Sequence, residues 1–151
     1  YVNEYEFDSG HFGTLRLKIS KNNIENISYN AVGVRSVEAS YRNFTNFYKQ
    51  LNMSYEGIID NAQGFGAGLM VPTLIYNLPI LDNLKTIFDQ DRSRINKRYI
   101  NFSPQIKSDE LMDEGKPMII TAISTKSATR SIINYLSTRD VKDILIPTIV
   151  T

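Results

Sequence analysis

Glycines alternate in Gly64-Phe65-Gly66-Ala67-Gly68, and Asp89 follows 21 residues after the last of them. No other feature restricts the fold as much. Glycines at this spacing let the backbone turn tightly and approach a ligand closely. A helix opening straight after the turn would present free N–H groups and the positive end of its dipole. An acid at the end of the next strand would then accept hydrogen bonds from ribose hydroxyls. This is the outline of a nucleotide-binding βαβ unit. The spacing is GxGxG and not GxGxxG, and the residues before it, Asp60, Asn61 and Gln63, are polar where a buried parallel strand is expected to be apolar.

The rest of the chain supplies the elements around that unit. Residues 1–33 read as β-like, with Thr14–Ser20 alternating apolar and polar positions, and Ile27–Tyr29 as a return strand or an extended loop. From Ser36, read as an N-cap, the period becomes helical. Val37, Tyr41, Phe44, Tyr48 and Leu51 form one stripe, read as core, in a helix ending near Asn52 or Met53. A strand is placed at Gly57–Asp60 and a helix at Leu69–Asn77, where Pro72 suits the first turn. Asn83–Phe88 reads as a strand ending at Asp89, and Ser108 caps a short helix to Met112. Pro117–Ala122 is the most apolar strand. Ser127 is read as the cap of a helix with Ala128, Ile132, Ile133 and Leu136 facing inward, and Asp143–Pro147 closes as a strand. The order from residue 57 predicts an α/β fold: a Rossmann-like open, mostly parallel sheet with helices on both faces, plus an N-terminal β segment and helix. One domain is expected, with residues 1–54 packing on a core at 55–151.

Composition removes several classes of function. A formal net charge of +1 gives no whole-chain attraction to nucleic acid or to a membrane surface. No apolar run reaches the roughly 18 residues that span a bilayer. With no cysteine and only His11 as histidine, disulfides and thiolate zinc sites are excluded, and no metal site is expected. A cytoplasmic setting is the default. The chain begins Tyr1-Val2-Asn3 without a methionine, which points to a fragment of something longer.

Gly10-His11-Phe12-Gly13-Thr14-Leu15-Arg16 resembles the "HGGSLR" strand start in the C-terminal domain of sugar C-methyltransferases. Phe65-Gly66-Ala67-Gly68 and the residues up to Ile75 fill the slot of that family's "YGAxxKGxTLLN" turn and helix. Phe88-Asp89-Gln90-Asp91 and Tyr99 through Ile106 follow in the place of its "DxNPxKxGxxxPGxxIPIxxP". The resemblance covers the whole chain. It departs at Met70, where the family usually has lysine, and at Phe12, which splits the paired glycines. It implies a Rossmann-like appendage on an S-adenosylmethionine-dependent enzyme that methylates a carbon of a nucleotide-linked keto-sugar. The domain would help hold the nucleotide-sugar and would not catalyse alone. The methyl donor would be bound by a preceding domain of the same chain, with no cofactor bound here.

The candidate substrate-binding residues are therefore Gly64, Gly66, Ala67 and Gly68 of the turn, Asp89, Arg92, Ser124, Thr125, Lys126 and His11. Arg92, Arg94, Lys97 and Arg98 form a cluster able to neutralise a diphosphate. Ser124-Thr125-Lys126 follows the most apolar strand at its carboxyl end. No catalytic residue is assigned, since nothing near His11 in sequence marks a triad. Bland readings stand beside each of these: turn glycines serving geometry alone, Asp89 capping a turn, a solvated basic loop, and a surface histidine. An independent NAD(P)-binding domain and a packing module without a ligand remain the alternatives.

Overall fold

The computed structural model describes residues 2–8, 14–19, 31–122, 125–141 and 143–147, with backbone alone for 2–8, 14–19 and 31–36. The chain divides into two units, Tyr1–Arg42 and Asn43–Thr151. In the first, Val2–Asp8 (β1) pairs antiparallel with Thr14–Ile19 (β2), from Val2 opposite Ile19 to Asp8 opposite Thr14. The strand expected at Thr14–Ser20 is thus present. Ile27–Tyr29 lies outside the described residues.

Helix α1 runs Ala31–Tyr55. It begins five residues before Ser36, which lies inside the helix and is not its cap. Nothing from Ala31 to Arg35 stops a helix, Gly33 costing only about 1 kcal/mol there. The apolar stripe is also less buried than its spacing predicts. Val37, Tyr41 and Phe44 are 45%, 67% and 43% exposed, and packing against the core starts at Tyr48, with Leu51 and Tyr55 below it. Burial pushes the Tyr55 hydroxyl up to about 12.

In the second unit, Gln63–Phe65 (β3), Thr86–Asp89 (β4), Gln105–Ser108 (β5), Met118–Ile120 (β6) and Ile144–Leu145 (β7) form a sheet in the order β5-β4-β3-β6-β7, every neighbour parallel. Renumbered from its first strand, this is the 3-2-1-4-5 order of an open Rossmann-like sheet. Side chains alternate across it. Ile87, Ile106 and Ile119 join Tyr55, Val71, Leu74, Leu78, Leu81 and Leu84 on one face, beneath α1 and Val71–Asn77 (α2). Phe65, Phe88, Met118 and Ile120 point the other way and pack with Leu136 of Lys126–Thr138 (α3). Each large apolar side chain so buried stabilises the fold by about 1.5–3 kcal/mol.

Several local expectations need correction. Gly57–Asp60 is a turn leading into a 3-10 helix at Ile59–Asn61, and the strand starts later, at Gln63. Polar Gln63 is compatible with burial because its amide donates to the Asp113 carbonyl at 2.7 Å and accepts from the Asp113 N–H at 3.1 Å. The helix after the turn begins at Val71 and not at Leu69, with Pro72 in its first turn as anticipated. Strand β5 was not expected. It reads as polar because only Ile106 of its four residues turns fully into the core. The short helix capped by Ser108 is a 3-10 turn, Asp109–Leu111, whose Glu110 N–H bonds the Ser108 hydroxyl. The cap of α3 is Thr125 and not Ser127: the Thr125 hydroxyl accepts from the Ala128 N–H. Extended backbone at Thr125 places the hydroxyl there, while Ser127 is already helical.

Candidate anion-binding cleft

The glycine turn is held by its own chain. Gly64 lies within β3, and a Cβ there would meet Ile87 Cγ1 at 2.8 Å and Thr121 Cγ2 at 3.2 Å. Gly66 takes φ +94, a left-handed value, and a Cβ on it would run into the Ala122 methyl. Its N–H donates to the Phe88 carbonyl at 2.7 Å. The Thr121 hydroxyl, fully buried, reaches the Phe65 and Gly66 carbonyls at 3.0 and 2.8 Å. The carboxyl ends of β3 and β6, between which the strand order reverses, are thus closed on each other at this level. Gly68, by contrast, has open space where a Cβ would stand.

Asp89 completes the closure. It ends β4 as expected, but its carboxylate turns back: Oδ2 accepts from the Ala67 N–H at 2.5 Å and Oδ1 from the Asp91 N–H at 2.7 Å. Arg94 braces it, Nη1 to Oδ2 at 3.3 Å, and pairs through Nε with Asp91 at 3.1 Å. Hydrogen bonds from Ser93, aided by Arg94 and Lys97, hold the Asp91 carboxyl below its ordinary value. Asp89 is 7% exposed, so both its oxygens are committed to the fold.

Beside this closed turn lies a cavity of about 230 Å³ lined by Ala67, Leu69, Ser93, Arg94, Lys97, Arg98, Tyr99 and Ile106. One wall is the end of the glycine turn and the other is the segment after β4. That segment is tied down along its length. Asn96, at a left-handed φ of 64, donates its N–H to the Ile106 carbonyl, and the Ile106 N–H returns to the Lys97 carbonyl, each at 2.9 Å. The Tyr99 hydroxyl spans the cleft to the Ala67 and Gly68 carbonyls at 2.6 and 2.7 Å. Burial raises the pKa of Tyr99, Asp89 adding to the rise and Arg94 opposing it. Further along, the Ser103 N–H bonds the Asp82 carboxylate at 2.7 Å. Arg94 is committed to Asp89 and Asp91. Lys97 and Arg98 are exposed and make no ion pair among the described residues.

Of the residues singled out from sequence, the structure brings Ala67 to this cleft and sets Asp89 behind it. Gly64 and Gly66 are enclosed below. Arg92 sits exposed in the turn after β4, outside the lining, whereas Arg94, Lys97 and Arg98 of the same cluster line the cleft. Thr125 caps α3 and Lys126 is exposed in its first turn, both after β6 and neither part of the lining. His11 and Ser124 lie outside the described residues. Tyr99 and Leu69 were not anticipated. Only the run Lys97-Arg98-Tyr99, an aromatic directly after two cations, marked the place.

A second polar cluster sits by α3. The Tyr135 hydroxyl donates to Asp109 Oδ2 at 2.5 Å, and Arg139 Nε bonds Glu114 Oε1 at 2.8 Å. Burial, then the bond to Asp109, raises the Tyr135 pKa. These contacts tie α3 to the residues just after β5. Among the described residues no group of three or more metal-ligating side chains converges, and no helix is long and apolar enough to cross a membrane.

The architecture places the second unit in the class of open parallel α/β domains with Rossmann-like strand order. Compared with protein-family models, curated proteins and solved structures, the chain matches none.

Proposed function

We propose that this chain holds a nucleotide-linked sugar, serving as the C-terminal domain of an S-adenosylmethionine-dependent sugar C-methyltransferase, and that it binds without reacting. The observation that carries the reading is the cleft at the glycine turn, where Lys97 and Arg98 are exposed and form no ion pair among the described residues, beside the carboxyl ends of β3 and β4. Open α/β sheets bind ligands at that end, and paired cations suit phosphoryl oxygens. At about 230 Å³ the cleft is smaller than the roughly 300–1,000 Å³ that envelops a whole small ligand. It suits one anionic portion of a longer molecule whose remainder would lie against the preceding methyl-donor domain. The resemblance along the chain names the nucleotide-sugar. The lining side chains are cations, apolar groups, a serine and a tyrosine whose hydroxyl is already bonded, a set that holds and orients.

The test is a titration of the chain with a dTDP-sugar, NAD and S-adenosylmethionine, read by amide chemical shifts. Shifts with the dTDP-sugar alone, confined to residues around Ala67 and 93–99, are expected. Shifts with NAD at the glycine turn would replace this reading with a dinucleotide domain. Silence toward all three at millimolar concentration would leave a packing module.

A further inference from the structure

We infer that the diphosphate of such a ligand is gripped by the side chains of Lys97 and Arg98 and not by the backbone of the glycine turn, whose anion position the protein fills with its own Asp89 carboxylate. The inference rests on the nucleotide-sugar reading and specifies where in the fold its charge is met.

In a glycine-turn cradle the phosphoryl oxygens take backbone N–H groups at the head of a helix. Here the Ala67 N–H already donates to Asp89 Oδ2 at 2.5 Å, and the Gly66 N–H to the Phe88 carbonyl at 2.7 Å. A phosphate on Ala67 would have to evict a buried carboxylate or sit against it, anion to anion. Asp89 is held in place from two further directions, by the Asp91 N–H and by Arg94. The turn is therefore occupied before any ligand arrives.

The opposite wall is in the reverse condition. Lys97 and Arg98 are exposed and form no ion pair among the described residues, Asp91 acting on Lys97 only from beyond ion-pair distance, while their backbone is clamped to Ile106 and followed directly by the Tyr99 bridge. Cations offered from a fixed segment lose less entropy on binding than cations on a free loop. With Arg94 spent on Asp89 and Asp91, two of the cations lining the cleft remain without an ion pair among the described residues, one for each phosphoryl group of a diphosphate diester. Leu69 on the facing wall is 90% exposed and offers an apolar ledge to the ring next to the diphosphate.

The experiment titrates wild type and the K97Q/R98Q double variant with inorganic pyrophosphate and with a dTDP-sugar, following amide shifts. Both substituted side chains are exposed, and a thermal melt checks that the variant is folded. The expected result is that both compounds shift residues 93–99 in wild type and that the variant weakens each by about tenfold or more. Added salt should weaken wild-type binding in parallel. A dTDP-sugar that binds the variant as tightly as wild type, with shifts centred on Gly66–Gly68, would overturn this inference and leave the nucleotide-sugar reading standing. Pyrophosphate binding that depends on Lys97 and Arg98, without dTDP-sugar binding, would keep the anion site and sink the nucleotide-sugar reading. No binding of either compound to wild type would remove both.

Discussion

The two halves of the sheet's carboxyl edge are built to opposite ends. Between β3 and β6 the backbones close on one another, with Gly66 against Ala122 and the Thr121 hydroxyl bonded to two carbonyls of the neighbouring strand. On the β4 side, a few residues away, the chain spreads into a cleft with Arg94, Lys97 and Arg98 along one wall. Topology alone favours the first place as the binding site, because the strand order reverses there. The atoms favour the second. A switch point marks where a crevice can form; here its strand ends are bonded to each other, and the cleft opens instead between the end of the glycine turn and the segment after β4.

Substitutions on each side of that divide test the contrast. The largest effect is expected from Gly66→Ala, which puts a methyl on a left-handed residue and into the Ala122 side chain. Overpacking and the φ penalty together should cost about 3 kcal/mol or more, read as a lowered urea midpoint. A Gly66→Ala variant as stable as wild type would show that the seam is open. Next, Asp89→Asn removes the charge that binds Arg94 and weakens the acceptor for the Ala67 N–H, at a cost of about 2 kcal/mol. By releasing Arg94 Nη1, while Nε stays with Asp91, it should also tighten pyrophosphate binding, so stability and anion affinity should move in opposite directions. If both fall, Asp89 belongs to the ligand site and not to the closure.

Tyr99→Phe leaves the Ala67 and Gly68 carbonyls without the hydroxyl and should cost about 1 kcal/mol at neutral pH. Its pH signature is more specific. The raised pKa means that the folded state keeps the Tyr99 proton longer than the unfolded chain does. The contribution is therefore whole below pH 10 and is lost as pH rises from 10 through the raised value. Tyr48, Tyr55 and Tyr135 are raised as well, so the measurement is the gap between wild type and Tyr99→Phe, which should narrow above pH 10. The smallest effect belongs to Gly68→Ala. Its Cβ meets nothing and its φ is ordinary, so stability should stay within about 0.5 kcal/mol. The triplet of glycines would then separate into two that geometry demands and one that it does not.

The sequence carried the architecture because the apolar periods are strong where they matter. Met118-Ile119-Ile120 is buried on both faces, and Asp89 does end its strand. It hid β5 because an edge strand with a single core residue leaves too short a pattern to recognise. It misplaced the strand before the glycines because the polarity of Gln63 is answered by Asp113, 50 residues away, which no local window contains. The role of Asp89 was hidden for the same reason: the N–H it meets lies 22 residues earlier. Basic residues after β4 were visible as a cluster, but which of them face inward depends on the left-handed turn at Asn96 and on the bonds to Ile106.

Those bonds have a second consequence. The stretch around Lys97 and Arg98 lies antiparallel along β5, with a bridge from Arg98 to Gln105, and so occupies part of the outermost row of sheet hydrogen bonds. An exposed row of that kind is a template on which another chain can add a strand. The segment that offers its charges to a ligand also fences the sheet against its own kind, and shortening it should produce a protein that associates edge to edge as well as one that binds poorly.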